Sequence, residues 1–304
     1  MSWLDQHRSE PPATPGRVAQ TVEPSSKDLG GFRVRRALPS ATRRLLGPFV
    51  FLDHMGPAHF RAGEGLDVRP HPHIGLATIT YLSEGEILHR DTLGSHQPIR
   101  PGDVNWMVAG RGVAQSERSD ATARQIEQRL EGIQSWVALP RAHEEDPPGF
   151  VHHPGQTLPH LTDTGLAVTV IAGTAYGETS PVRVLSPTLY ANAWLEAGAA
   201  LPLDPTHAER GAYVISGRVE IAGETFAEHT LLVFNPGDAI TISATNGSAR
   251  VLLVGGEPLD GSRHLWWNFV SSSRDRIEAA KADWQAGRFG LVPGDERAFI
   301  PLPG

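Results

Sequence analysis

The chain has 304 residues, is 39% hydrophobic and 20% charged, and carries a formal net charge of -7. So acidic a balance argues against direct nucleic-acid binding, which needs clustered Lys and Arg for its phosphate contacts. The cysteine count is 0. That excludes disulfides, iron–sulfur clusters and Cys-zinc sites, and leaves nitrogen and oxygen ligands for any metal.

Met1–Arg8 lacks the basic segment and apolar run of a secretory signal, and no apolar run approaches the length of a membrane helix. Cytoplasm is the expected compartment, with no membrane partner. The length suits two domains, and 32 Gly and 25 Pro favour many short strands over long helices. Residues 1–29 are polar and Pro-punctuated and read as an arm or an edge wrap. Gly30–Pro39 alternates apolar and basic residues, which predicts a half-buried strand. Gly47–Pro57 predicts a short apolar strand ending in a turn, with Asp53 as a turn cap and His54 as a packed side chain.

Strands follow over His71–Tyr81, from Ile87 through His89 to Asp91, over Val104–Val108, Val113–Glu117 and Gln134–Leu139. The turns between them are Ser83–Glu86, Arg100–Asp103 and Gly110–Gly112. Two of these strands carry ligand-capable side chains two residues apart, His71 and His73 on one, Gln115 and Glu117 on the other. Side chains at i and i+2 of a strand share a face. If the strands lie side by side with those faces inward, two imidazoles, a carboxylate and an amide oxygen converge, a set able to bind a divalent transition metal. The His-x-His pair alone suits packed structural histidines as well.

The second half repeats the first in outline. Tyr213–Gly217 parallels Tyr81–Gly85 at an offset of 132 residues, and Asn235–Asp238 parallels Arg100–Asp103 at 135. So long a period means two similar domains, 30–146 and 147–304, with the crossing in Arg141–Pro159. The ligand positions do not repeat, since the equivalent steps reach Arg250 and Leu252, and His207 and Glu209 have no facing pair. The second domain is therefore expected to be metal-free. Ser273 before and Gly287 after bracket a helix over Arg274–Ala286, with Ile277, Ala280 and Trp284 on its packing face.

The blocks Pro70–Gly75, Thr80–Gly85, Leu88–Asp91, Arg100–Glu117, Gly256–Leu259 and Ala286–Gly290 together resemble the pirin family, over about residues 30–290. The resemblance implies an all-β protein of two tandem antiparallel cupin (jelly-roll) barrels with a short C-terminal helix. It further implies one iron, Fe(2+), in the N-terminal barrel, held by three His and one Glu. Some family members resemble quercetinases, dioxygenases that open a flavonol ring; others regulate by binding protein partners. His71, His73 and Glu117 fall on three of the ligand positions, and Glu117 would also serve as the catalytic proton acceptor. The fourth position, a His in the family, is Gln115 here. A neutral amide oxygen is a weaker ligand than imidazole. Three readings follow: a loosely held metal with Gln115 as ligand, substitution by another histidine such as His89, or a lapsed site in a partner-binding module.

Overall fold

The structure is a computed structural model, described here over residues 16–28 and 32–304. Residues 1–15 of the expected arm lie outside the described residues. The described residues group into two compact units. One comprises those up to Ser25, Arg35–Phe51 and Gln156–Pro258; the other Ser26–Val34, Leu52–Gly155 and Leu259–Gly304.

In the first half of the chain a seven-stranded antiparallel sheet runs in the order Gly149–His153, Val104–Val108, Leu76–Glu84, Gln128–Ala138, Phe49–Phe60, Arg33–Leu38, Ser25–Asp28. A four-stranded sheet runs Asp67–His73, Val113–Arg118, Ile87–Asp91, His96–Ile99. Inward residues of both sheets build one core: Val34, Met55, Phe60, Leu82 and Leu130 from the first meet Ile87 and Ile99 from the second. Period-two alternation produces this layering, since apolar residues on one face of each strand have another sheet to bury against.

Two expectations are corrected. The strand expected to end in a turn at Gly56-Pro57 continues to Phe60, so Asp53 is buried inside it instead of capping a turn, while His54 is packed as expected. The segment Arg141–Pro159 is not merely a crossing, because Gly149–His153 pairs with Val104–Val108 as the sheet's last strand.

The second half is built alike. An eight-stranded sheet runs Val18–Val22, Thr230–Phe234, Glu209–Ser216, Ala249–Gly256, Thr188–Leu195, Leu166–Ala175, His160–Asp163, with Glu178–Thr179 pairing on Leu166–Ala175. A four-stranded sheet of Ala200–Leu203, Ile240–Ser243, Arg218–Ile221 and Glu224–Ala227 packs its Leu201, Leu203, Val219, Ile221, Ile240 and Ile242 against it. Of the readings for the N-terminal segment, the edge wrap describes Val18–Val22, the sheet's outermost strand. The sequence repeat is a repeat of turns. Gly102 and Gly237 take φ of +87° and +82°, each third in a four-residue turn, Arg100–Asp103 or Asn235–Asp238, closed by a backbone hydrogen bond from the Asp to the first residue. That position of a type II turn demands positive φ, which Gly adopts without a Cβ penalty.

The helix forms over Arg274–Gln285. The Ser273 hydroxyl caps it by accepting from the Arg276 amide, and Gly287 follows it with φ of +69°. Ile277 and Ala280 are buried against Ile74 and Phe269, with Trp284 beside them. No helix among the described residues is long and apolar enough to cross a membrane.

Candidate metal centre

The strand Val113–Arg118 lies between the histidine strand Asp67–His73 and the strand Ile87–Asp91. Across the first pairing Gln115 stands opposite His71 and Val113 opposite His73. Across the second Gln115 stands opposite Asp91 and Glu117 opposite His89. Directly opposed residues share a face, so His71, His73, Gln115, Glu117, His89 and Asp91 all belong to one face of this sheet. The pairing with the histidine strand carries a bulge between Gln115 and Glu117, which sets Glu117 opposite Val68. A regular ladder would have placed it opposite Arg69.

The face is buried. His73 is fully buried, Gln115 is 1% exposed and His71 6% exposed; Glu117 keeps partial access to solvent. The His71 Nδ1–H donates to the Arg69 carbonyl at 2.8 Å, which leaves Nε2 with its lone pair free. Gln115 Nε2 lies 3.4 Å from that Nε2, while its Oε1 is buried without a hydrogen-bond partner. Neither ring nitrogen of His73 makes a hydrogen bond of good geometry, although the Asn268 backbone interacts weakly with it. The His73 ring meets His71 and Trp136 edge-on, with centroids 4.9 and 5.2 Å away.

His89 is placed differently. Its Nε2 bonds Asp91 Oδ2 at 2.9 Å and its ring stacks on Phe150 at 4.4 Å. Asp91 Oδ1 in turn accepts from the amides of Leu93 and Ser95. Nε2 of His89 is thus engaged with Asp91. Asp91 is the participant that sequence reasoning passed over. Its signal was present in the i, i+2 spacing from His89.

Burial governs the protonation of this face. Desolvation pulls the His71 pKa from 6.5 to about 4, against the opposing hydrogen bond to Arg69, with His89 nearby adding to the depression. Desolvation, then the adjacent His71, hold His73 well below its ordinary value. Desolvation raises the Glu117 carboxyl, and His89 opposes it. Burial also pushes Asp91 upward, but the His89 and Ser95 hydrogen bonds outweigh it and leave Asp91 below the usual carboxylate range.

These shifts imply an acid-labile metal-free protein. Between pH 6.5 and about 4 the unfolded chain binds a proton at His71 that the folded chain refuses. Stability is therefore fully present above that window and falls as pH drops through it, by up to about 3 kcal/mol for this residue. His73 acts in the same direction, and the raised Glu117 in the opposite one. Urea melts of chelated protein at pH 7 and pH 4.5 should show the loss, and His71→Gln should flatten the slope. An unchanged slope in that variant would rule His71 out as its source.

The remaining supports come from the C-terminal residues. The Ile300 amide donates to the Pro70 carbonyl at 2.8 Å, and the Val270 amide to the Ile74 carbonyl at 3.1 Å, so the histidine strand is tied on both sides of His71 and His73. Arg118, next to Glu117, grips both carboxylate oxygens of Asp295 at 2.5 and 2.8 Å.

Among the described residues no three His, Cys, Asp or Glu side chains gather into a metal-holding group. The donors brought together are instead His71, His73 and the Gln115 amide, while Glu117 shares their face with the bulge setting it opposite Val68. Their chemistry still fits a divalent transition metal. An imidazole nitrogen and an amide oxygen sit buried with unmet hydrogen-bonding capacity, on the same face as a carboxylate.

The equivalent positions of the second half are taken up structurally. Arg250 donates to Asn192 and Leu252 is core. His207 Nε2 is hydrogen-bonded to the Thr174 carbonyl, and Glu209 accepts from the Gly47 amide at 2.6 Å.

Paired antiparallel sheets in two similar halves, one carrying a polar inward cluster, are the features of a two-domain cupin. Residues 31–137 match the pirin family and residues 190–290 match the pirin C-terminal cupin domain, and the chain belongs to the pirin family. Over 280 residues it is 51% identical to a pirin-like protein of Caulobacter vibrioides, covering 91% of this chain and 96% of that one. It is 43% identical over 279 residues to a Pseudomonas aeruginosa protein provisionally named a quercetin 2,3-dioxygenase, covering 90% and 86%. The crystal structure of quercetin 2,3-dioxygenase from Acinetobacter baumannii superposes with a TM-score of 0.87 at 37% identity, covering 94% of this chain and 95% of that one.

Proposed function

We infer that this pirin-family bicupin is a mononuclear metal-dependent dioxygenase acting on a flavonol-like substrate in the cytoplasm. The observation that carries the reading is the buried cluster of His71, His73 and Gln115, in which polar atoms lack partners that a bound ligand would supply. The likeness along most of the chain to proteins named for quercetin 2,3-dioxygenase activity supports the substrate class.

His71, His73 and Glu117 would hold the metal, with Gln115 at the fourth position; ferrous iron suits the set. When bound, such an ion supplies a Lewis-acidic anchor for adjacent substrate oxygens and access to O2. The protein's own part is to present neutral imidazoles, which burial secures by suppressing protonation of His71 and His73. Glu117 is the candidate acceptor of the substrate's hydroxyl proton, since a carboxylate with a raised pKa is a stronger base than an exposed one.

A second reading has its own support. Gln115 places its amide nitrogen against His71, as suits a metal-free, partner-binding bicupin. One experiment separates the two. Protein loaded anaerobically with ferrous iron and freed of excess metal is expected to retain about one iron per chain and to consume O2 with quercetin. A stable protein that retains no iron and leaves quercetin intact supports the partner-binding module.

A further inference from the structure

We propose that Asn246 is a self-modification site, at which the folded chain converts its own asparagine to aspartyl and isoaspartyl forms and gains a negative charge. The reaction stands apart from the metal centre and needs only water.

Asn246-Gly247 is the chain's single Asn-Gly pair. It lies in the turn between the strands Ile240–Ser243 and Ala249–Gly256, and residues 245–248 are all exposed. Both ends of the turn are anchored. The Ala244 amide donates to the Ala199 carbonyl at 3.0 Å, its carbonyl accepts from the Gly198 amide at 2.6 Å, and Ala249 pairs with Leu195. Between these anchors, neither the Asn246 side chain nor the Gly247 amide has a hydrogen-bond partner among the described residues. Gly247 has φ of +99°, and a Cβ there would meet nothing within 4 Å. No side chain therefore crowds the approach of its nitrogen to the Asn246 amide, and glycine leaves the backbone free to close on it.

The chemistry follows from that freedom. The Gly247 nitrogen, once deprotonated, attacks Asn246 Cγ. The new C–N bond closes a five-membered succinimide, and the Cγ–Nδ2 bond breaks to release ammonia. Water then opens the ring at either carbonyl. Opening at the side-chain carbonyl leaves aspartate, and opening at the main-chain carbonyl leaves isoaspartate with an extra methylene in the backbone. The sum is amide plus water to carboxylate plus ammonium, with nothing oxidised or reduced.

The other asparagines lack this combination. Asn105 is buried and its Oδ1 accepts from His152 at 2.7 Å. Asn192 lies within a paired strand and its Oδ1 accepts from Arg250 at 2.7 Å. Asn235 precedes Pro236, which has no N–H to ionise. Asn268 precedes Phe269, a fully buried residue with a bulky side chain. In the remaining Asx-Gly pair, Asp260-Gly261, the carboxylate is held by the Arg141 amide at 2.9 Å and by the Arg263 guanidinium.

The test incubates the full chain at pH 7 and pH 8 and follows intact mass, released ammonia and a peptide map. The wild-type chain should become heavier by one dalton while the Asn246 peptide splits into aspartyl and isoaspartyl products. Ammonia should match their sum. Because hydroxide generates the nucleophile, the rate should rise about tenfold over that pH unit. In ¹⁸O-labelled water each product should carry one heavy oxygen. Peptides containing Asn105, Asn192, Asn235 and Asn268 should stay unchanged, and Asn246→Ser should gain no mass. Chain unfolded in urea sets the clock, since its Asn246 peptide converts without any constraint from the fold. A folded chain still intact at Asn246 when the unfolded one has converted overturns the proposal. So does a mass gain that maps to another asparagine or persists in Asn246→Ser.

Discussion

Gln115→His is expected to bind ferrous iron about 10–100-fold more tightly than the wild-type chain. Two effects act together. The substitution adds an imidazole nitrogen to His71, His73 and Glu117, and it removes the amide that rests on His71 Nε2 at 3.4 Å. The backbone needs no rearrangement, because position 115 stands directly opposite His71 and is already buried on the shared face. The new ring also has a neighbour able to fix its tautomer, since Asp91 is the cross-strand partner of position 115 on the other side. Parallel iron titrations with quercetin turnover on both proteins test this. Equal affinity would mean that position 115 does not serve the metal. Turnover confined to the variant would mean that the wild-type chain binds without catalysing.

The alternation of the strands was legible in the sequence, and so was the shared face of His71 and His73. Both follow from the period of two, which the chain carries locally. The turns at Gly102 and Gly237 were legible for a similar reason, because Pro-Gly-Asp specifies its own backbone. What belongs to pairs of strands was not. The bulge that sets Glu117 opposite Val68 is a property of the ladder, and nothing in Val113–Arg118 alone announces it. Asp91 was readable as the i, i+2 companion of His89, but its place beside Gln115 depends on which strands are neighbours. The ties of Ile300 to Pro70 and of Asp295 to Arg118 span more than 170 residues of chain, beyond the reach of any local pattern.

Gly75→Ala is expected to be the most damaging small substitution near the site. Gly75 follows His73 by two residues and has φ of +66°, which strains any residue with a Cβ. The space is closed as well. A Cβ there would lie 1.9 Å from the Val270 carbonyl oxygen, a backbone atom that cannot swing aside. Nor can the glycine retreat, for its amide donates to Gly110 at 2.8 Å and its carbonyl accepts from Leu139 at 3.0 Å. Relief would have to come from moving Phe269–Ser271, whose Val270 amide is bonded to the Ile74 carbonyl at 3.1 Å. Either movement displaces the end of the histidine strand. The loss should exceed about 4 kcal/mol, or about 10 °C in Tm for a chain of this size. Gly102→Ala provides the comparison. Its φ is +87°, but its Cβ would meet nothing within 4 Å, so only the backbone term of about 1–2 kcal/mol applies. Melting curves of the two variants separate strain from collision. If Gly75→Ala melts within a few degrees of Gly102→Ala, the close approach of Val270 yields easily, and the histidine strand is not held from that side.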